Sequence, residues 1–320
     1  MVLNPADYQV VWVAPLEIEL QAALEMLDEQ YDDNFPVRRG DNYVYFAGRM
    51  CGRNVAIASF PQGTLCGINS AAALVSQVEH FFTNLWLVFL VGVAAGLPDL
   101  SRNPVRDIRL GDILVAAPND GTPAIVHYGQ GKETEAGLQQ LRSGHVLHPP
   151  KQILMAAVTK AKFSNVNSPT HYLKFLKEFD TAKFPDPGQR EDKLYDANGD
   201  EVPRRPREPT KRTKIWYGPI GSGDKLLKNA TKRDELRDEF KIIGLEMAGA
   251  GTNAVVPAAM IRGVCDYGDQ KKNKQWQPHA AAKAAAYAKS VLAQLPPLED
   301  SKAEQNCVPL TKNTVLGESY

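Results

Sequence analysis

The chain has 320 residues, 43% of them hydrophobic and 23% charged, which is enough to bury one large core or two small ones. Its 37 basic residues balance 37 acidic ones, which argues against a field for nucleic acid or for an anionic membrane. Four cysteines without CxxC spacing or neighbouring histidines argue against a metal site and a disulfide framework, and no cofactor motif stands out. No run approaches the ~18 apolar residues of a membrane span, and "MVLNPADYQ" lacks the charged start and apolar stretch of a signal peptide. The expectation is a soluble cytoplasmic globule with reduced thiols.

In chain order, "YQVVWVA" (8–14) reads as a strand and the segment from Glu17 as a helix with apolar residues at helical spacing. "YVYFAGRM" and "RNVAIASF" read as a hairpin about Cys51 and Gly52, 68–82 as a helix, and "LWLVFLVGV" (85–93) as the most apolar strand. "GDILVAA" and "PAIVHYG" are further strands, and "PKQILMAAVTKAKF" is an amphipathic helix. "IWYGPIGSG", "KIIGLEM" and the apolar run 256–264 return to the sheet, with a Gly- and Ala-rich helix after Glu246. "AAAKAAAYAKSVLAQL" is a final helix of strong helix formers. Apolar strands alternating with helices predict one α/β domain with a mostly buried sheet.

Two stretches fall outside that core. Residues 184–213, rich in Pro, Arg, Asp and Glu, read as a long surface insertion, a kind of loop that is more often functional than ornamental. Its "DANGDE" has a calcium-loop flavour but lacks the distal Glu, so an Asn-Gly turn is the better reading. The polar tail 297–320 is expected to be flexible.

Open α/β sheets bind ligands at the carboxyl ends of their strands. Here those ends carry "VAPLE" with Glu17, "FPQGTLCGINS" with a helix cap at Asn69 and Ser70, "LVGVAAGLPD", "GSGDKLL" with Asp224 placed to cap the residues after it, "GLEM" with Glu246, and "RGVCDYGD" with Asp266. Taken singly, Glu17, Glu246 and Asp266 also read as helix caps.

Together, "VAPLE", "LVGVAAGLPD", "IRLGDILVA", "GSGD", "GLEM" and "IRGVCDYGD" resemble, in order, the pattern of the nucleoside phosphorylase / methylthioadenosine nucleosidase superfamily over residues 8–295. "KNKQWQ" (272–277) and "AAAYAK" (284–289) are closer still to fungal members found at the N-terminus of nucleotide-binding immune-receptor-like proteins. The resemblance implies a single-domain three-layer α/β/α sandwich with a mixed central sheet over 1–296, interrupted by the insertion 184–213.

It also implies roles. Asp266 falls on the acid that protonates or hydrogen-bonds purine N7, and Glu17 on the glutamate that activates water in the hydrolytic branch. Met247 falls on the methionine beneath the ribose, and the turn holding Ser222, Asp224 and Leu226 on the segment that reads the base edge. Val93, Ala94 and Gly96 at the small-residue strand end, with Tyr128 and Glu246, complete the expected substrate-binding set. Arg190 in the insertion is expected to close over the 5′ side of the ligand.

The sequence departs from the family at two points. Leu90 and Val93 stand where phosphorylases hold phosphate with Arg and Ser, and a phosphate dianion against an apolar wall is prohibitively costly. Hydrolysis is therefore expected over phosphorolysis. Ala248 replaces the second glutamate of Glu-Met-Glu, which binds the ribose hydroxyls; a natural divergence and an introduced substitution both fit, and either weakens catalysis. The expected substrate is an adenosine-type purine nucleoside with water as co-substrate. ATP stays open through the candidate cations Lys225, Lys228, Arg190, Lys271, Lys272 and Lys274. A phosphate-dependent purine nucleoside phosphorylase and a non-catalytic nucleoside-sensing or oligomerising module remain the alternatives; a homo-oligomer is compatible with either, and neither nucleic acid nor membrane is an expected partner.

Overall fold

The computed structural model describes residues 2–129, 131–135, 137–140, 147–164 and 172–297. The tail expected to be flexible lies, beyond Pro297, outside the described residues.

Strand β1 (Val10–Val13) is buried throughout and leads through Pro15 and Leu16 into helix α1 (Glu17–Glu25). β2 (Glu29–Tyr31), β3 (Phe46–Met50) and β4 (Arg53–Ala58) form the antiparallel edge of the sheet. Cys51 (φ 53°) and Gly52 (φ 75°) make the expected turn between β3 and β4; two positive φ values in a row are what a two-residue hairpin of right-handed twist requires. Helix α2 (Ile68–Phe81) buries Ala71, Leu74, Val75 and Val78, an i, i+3, i+4, i+7 stripe. β5 (Leu87–Gly96) is buried along its whole length, as the near-continuous apolar run predicts for a central strand.

β6 (Ile113–Ala116) and β7 (Ile125–His127) come next, then a small separate hairpin of β8 (Gly131–Thr134) and β9 (Gly137–Gln140) that carries little apolar signal. Helices α3 (Gln152–Ser164) and α4 (Leu173–Leu176) precede the 184–213 segment. The stretch that reads as one strand from Ile215 is two, β10 (Ile215–Gly218) and β11 (Ile220–Ser222), broken at Pro219. Proline cannot donate to a ladder, and the chain changes partners there, from β6 to β7 and β12 (Gly244–Glu246).

α5 (Ala230–Phe240) carries no clear apolar stripe, since most of it is charged and only Ala230, Arg233, Leu236 and Phe240 are buried; Asn229 caps it by accepting from the Lys232 N–H at 3.0 Å. α6 (Gly249–Val255), β13 (Ala258–Asp266) and α7 (Gln277–Leu292) complete the chain, α7 buried from His279 to its end. No helix among the described residues is long and apolar enough to cross a membrane.

The main sheet runs β10-β6-β13-β5-β1-β4-β3-β2, with β12, β11 and β7 branching from β5. It mixes parallel pairs (β1 with β4 and β5, β13 with β5) and antiparallel ones (β13 with β6, β12 with β5). Alternating side chains feed two cores, as a period of two demands. Trp12, Phe89 and Val91 face α1, α3 and α7, while Val11, Val13 and Leu90 face α2. This is a three-layer α/β/α sandwich with a mixed central sheet.

The branch positions the site. On one side of β5, residues Leu87–Leu90 pair with β1, whereas Ala95 and Gly96 pair with β12. Between them the sheet opens where β1 turns away, leaving backbone groups of β5 to find partners other than a strand.

Candidate active site

The opening is a cavity of about 340 Å³. Pro15, Leu16 and Glu19 wall it after β1, Val93–Ala95 at the end of β5, and Leu245–Ala248 at the β12–α6 junction. Arg262, Cys265 and Asp266 of β13 form another wall, with Tyr128 after β7. Cys66, Lys225–Lys228, Lys272–Lys274 and Gln277 complete the lining.

Glu19 occupies the fork in the sheet. Its Oε1 accepts the Val93 N–H at 2.7 Å, a donor that β1 and β12 both leave unpaired, and its Oε2 accepts the Leu16 N–H at 2.8 Å. Gly92 is required for this approach, because a Cβ there would lie 1.9 Å from Glu19 Oε1 and 2.4 Å from Arg262 Nη1. Arg262, a lone cation in an apolar strand, needs buried anions to offset its desolvation. It finds Glu19 at 3.5 Å and Glu246 at 2.5 Å, and all three side chains are 2% exposed. Burial raises the Glu19 carboxyl above its usual 4.5, with the Arg262 charge and the two N–H donors pulling the other way.

Asp266 sits at the end of β13, where the register slips between Val264 and Asp266. Its Oδ1 accepts the Gly268 N–H at 2.8 Å, and its Oδ2 faces the Cys265 thiol at 3.2 Å and the Lys272 ammonium at 2.8 Å. Glu246 accepts the N–H groups of Ala248 (2.9 Å) and Gly249 (2.8 Å) besides pairing with Arg262, so its carboxylate is engaged by the protein itself. Tyr128 packs over the turn at Gly223, where a Cβ would meet its ring at 2.5 Å, and burial raises its hydroxyl to about 12.

Of the residues expected from sequence, Asp266, Glu246, Met247, Ala248, Leu226, Val93, Ala94 and Tyr128 come together in this lining. Five do not. Glu17 is exposed, accepts from Gln21 at 3.4 Å and lines a neighbouring groove with Tyr43 and Phe60. Ser222 is fully buried, its Oγ accepting the Ala250 N–H at 2.9 Å. Asp224 caps α2 by accepting the Ile68 N–H at 2.7 Å and not the residues after itself, and Asn69 and Ser70 lie inside α2. Gly96 packs against Val264 and Ile108. Arg190 is exposed and outside the lining.

Sequence reasoning missed Glu19 and Arg262. The signal for Glu19 was its place on the stripe Glu19, Ala22, Ala23, Met26, an i, i+3, i+4, i+7 set that excludes Glu17. The signal for Arg262 was a single charge inside a run that must be buried. Among the described residues no group of three or more His, Cys, Asp and Glu could hold a metal ion.

Solved structures share this fold. Futalosine hydrolase of Helicobacter pylori superposes with a TM-score of 0.61 at 16% identity, covering 91% of this chain and all of that one (100%). The 5′-methylthioadenosine/S-adenosylhomocysteine nucleosidase of Neisseria meningitidis, solved with methylthio-immucillin-A, superposes at 0.59 and 17%, covering 89% and 99%. The fold is that of the nucleosidases. No protein-family model matches the chain. A nucleotide-binding leucine-rich repeat-like protein of Hyaloscypha variabilis is 32% identical over 98% of this chain. The chain spans only 32% of the length of that relative. The strand-end cavity of the nucleosidase fold thus carries here three buried acids (Glu19, Glu246 and Asp266), a buried arginine and a set of lysines.

Proposed function

We propose that the chain hydrolyses the N-glycosidic bond of an adenosine-type purine riboside. The observation that carries this reading is the pair of buried carboxylates, Glu19 and Asp266, in one cavity of about 340 Å³. In the reaction the bond from C1′ to purine N9 breaks through an oxocarbenium-like state, and water adds to C1′. Glu19 takes the proton from that water, and Asp266 supplies a proton or hydrogen bond to N7, so the base leaves neutral. Two acids with separate tasks are the division of labour glycosidases use. A base works best near the operating pH, and burial moves Glu19 in that direction.

Hydrolysis rather than phosphorolysis is supported by the commitment of the buried guanidinium. The guanidinium in the lining, Arg262, is committed to Glu19 and Glu246, and Leu90 is fully buried in the sheet. Futalosine hydrolase and the nucleosidase that binds methylthio-immucillin-A fit the same reading. Ala248 lines the cavity with neither charge nor acceptor beneath the ribose, so turnover is low for this fold.

A second reading, a 5′-phosphorylated substrate such as ATP, is favoured by one observation: Lys225, Lys228, Lys272 and Lys274 all line the cavity. A polyphosphate would also compete with Asp266 for Lys272, freeing the acid to meet N7. Adenosine and ATP, incubated with the protein with and without inorganic phosphate, should release adenine at a rate that phosphate does not change. Accumulation of ribose 1-phosphate, or uncleaved nucleoside held by the protein in place of release, would overturn the reading.

A further inference from the structure

The 184–213 segment packs behind the strand end that carries Asp266. Asp192 and Arg204, with side chains 4% and 5% exposed, form an ion pair at 2.9 Å. Both meet the hydroxyl of Tyr267, the residue next to Asp266. Tyr267 donates to Asp192 Oδ1 and accepts from Arg204 Nη2 at 2.9 Å, and the Arg204 guanidinium lies 5.1 Å from the centre of its ring. The Leu110 N–H, just before β6, donates to the same hydroxyl at 3.1 Å and to Asp192 Oδ1 at 3.3 Å. Farther along, the indole N–H of buried Trp276 donates to the Glu191 carbonyl at 3.3 Å.

The loop between Tyr267 and Trp276 is thus held at both ends by one short stretch of the segment, and between those ends it carries Lys272, Asn273 and Lys274 of the cavity wall. Arg233 of α5 ties the two further, donating to the Tyr195 carbonyl at 3.3 Å and to the Tyr267 carbonyl at 3.5 Å. The far end of the segment is locked to β6 through Asp112, which is fully buried and accepts from Arg207 (2.6 Å), Trp216 (2.8 Å) and the Lys214 N–H (2.8 Å).

We infer that this segment is a brace and not a lid: Asp192 and Arg204 grip the Tyr267 hydroxyl from outside the cavity and thereby position Asp266 and the Lys272–Lys274 loop. Three charges of the segment, Asp192, Arg204 and Arg207, are aimed inward, at a buried hydroxyl and buried acids, while most of its other charges stay exposed. It also supersedes the expectation that Arg190 closes over the ligand, since Arg190 is exposed and the residues that reach the site from this segment do so from behind. Asp192, Arg204 and Tyr267 are positioning residues. Their effect on turnover rests on the role proposed above for Asp266, whereas the grip itself does not.

The test compares Tyr267→Phe and Asp192→Asn with the parent protein and with Lys211→Ala, an exposed site on the same segment. Three quantities are read: adenine release, thermal midpoint, and amide hydrogen exchange. The expected result is faster exchange confined to residues 267–276, where the Gly268 N–H is bound to Asp266. It is joined by a kcat about 10–100-fold lower with KM nearly unchanged, of the order that a misplacement of about 1 Å produces. Lys211→Ala should alter none of the three. Unchanged exchange in 267–276 overturns the brace, as does exchange rising across the whole sheet with a matching fall in midpoint. Should the parent protein release no adenine, the function proposed above fails alone, and the exchange data still decide whether the grip exists.

Discussion

Glu19 in the first turn of α1 and Asp266 at the end of β13 are both buried acids of one cavity, but they are held by different kinds of partner. Glu19 is fixed by two backbone N–H groups and by Arg262, itself locked to Glu246, so nothing about it can move without opening the sheet. Asp266 keeps one backbone partner, while its other oxygen is met by Lys272, a partly exposed side chain on a loop. The contrast suits a site in which one acid must stay desolvated and charged toward water, and the other must be free to meet a base. In the proposed reaction, the rigid partners fall on the water side and the exchangeable partner on the leaving-group side.

The largest expected break in this contrast is at Asp266. Asp266→Asn removes the proton donor without changing shape and should lower adenine release by about 10²–10⁴-fold, the usual worth of general acid catalysis. Binding of adenosine, measured by calorimetry, should survive. A variant that keeps near-parental turnover would place activation of the base elsewhere.

Lys272→Met sharpens the same contrast with a smaller effect. It frees Asp266 and removes one cation from the wall, so the KM for ATP should rise about fivefold, as ~1 kcal/mol from a partly screened ion pair gives, while that for adenosine stays level. Equal changes for both substrates would mean that Lys272 serves Asp266 alone.

The pH profile reads the Glu19 side. A base must be deprotonated to take the proton from water, so activity is lost as pH falls through its pKa. Burial raises that pKa above 4.5, and the acid limb of kcat/KM should therefore lie above 4.5. A limb at or below that value would assign the base to a better-solvated acid.

What the sequence disclosed tracks the strength of local signals. β5, α2 and α7 were legible because burial on every side or on one stripe writes itself into the apolar period. α5 was not, because its few buried positions are spread through a charged segment. The Asp266 end was legible through "RGVCDYGD", whereas on α1 the motif pointed to Glu17 and the cavity holds Glu19. "PLEIE" offers two glutamates, and only the helix phase, with Glu19 in line with Ala22, Ala23 and Met26, distinguishes them. The direction from which 184–213 approaches the site could not be read at all, because it depends on long-range pairs such as Arg204 with Asp192 and Tyr267.

That ambiguity supplies the sharpest comparison: adenine release by Glu17→Gln and Glu19→Gln side by side with the parent protein. Glutamine at 19 keeps the shape but loses the charge, and its amide cannot accept from both the Leu16 and Val93 N–H groups as the carboxylate does. If Glu19 is the base, Glu17→Gln keeps the parental rate and Glu19→Gln loses about 10²–10⁴-fold. The reverse order, or equal rates in all three, would remove Glu19 from that role.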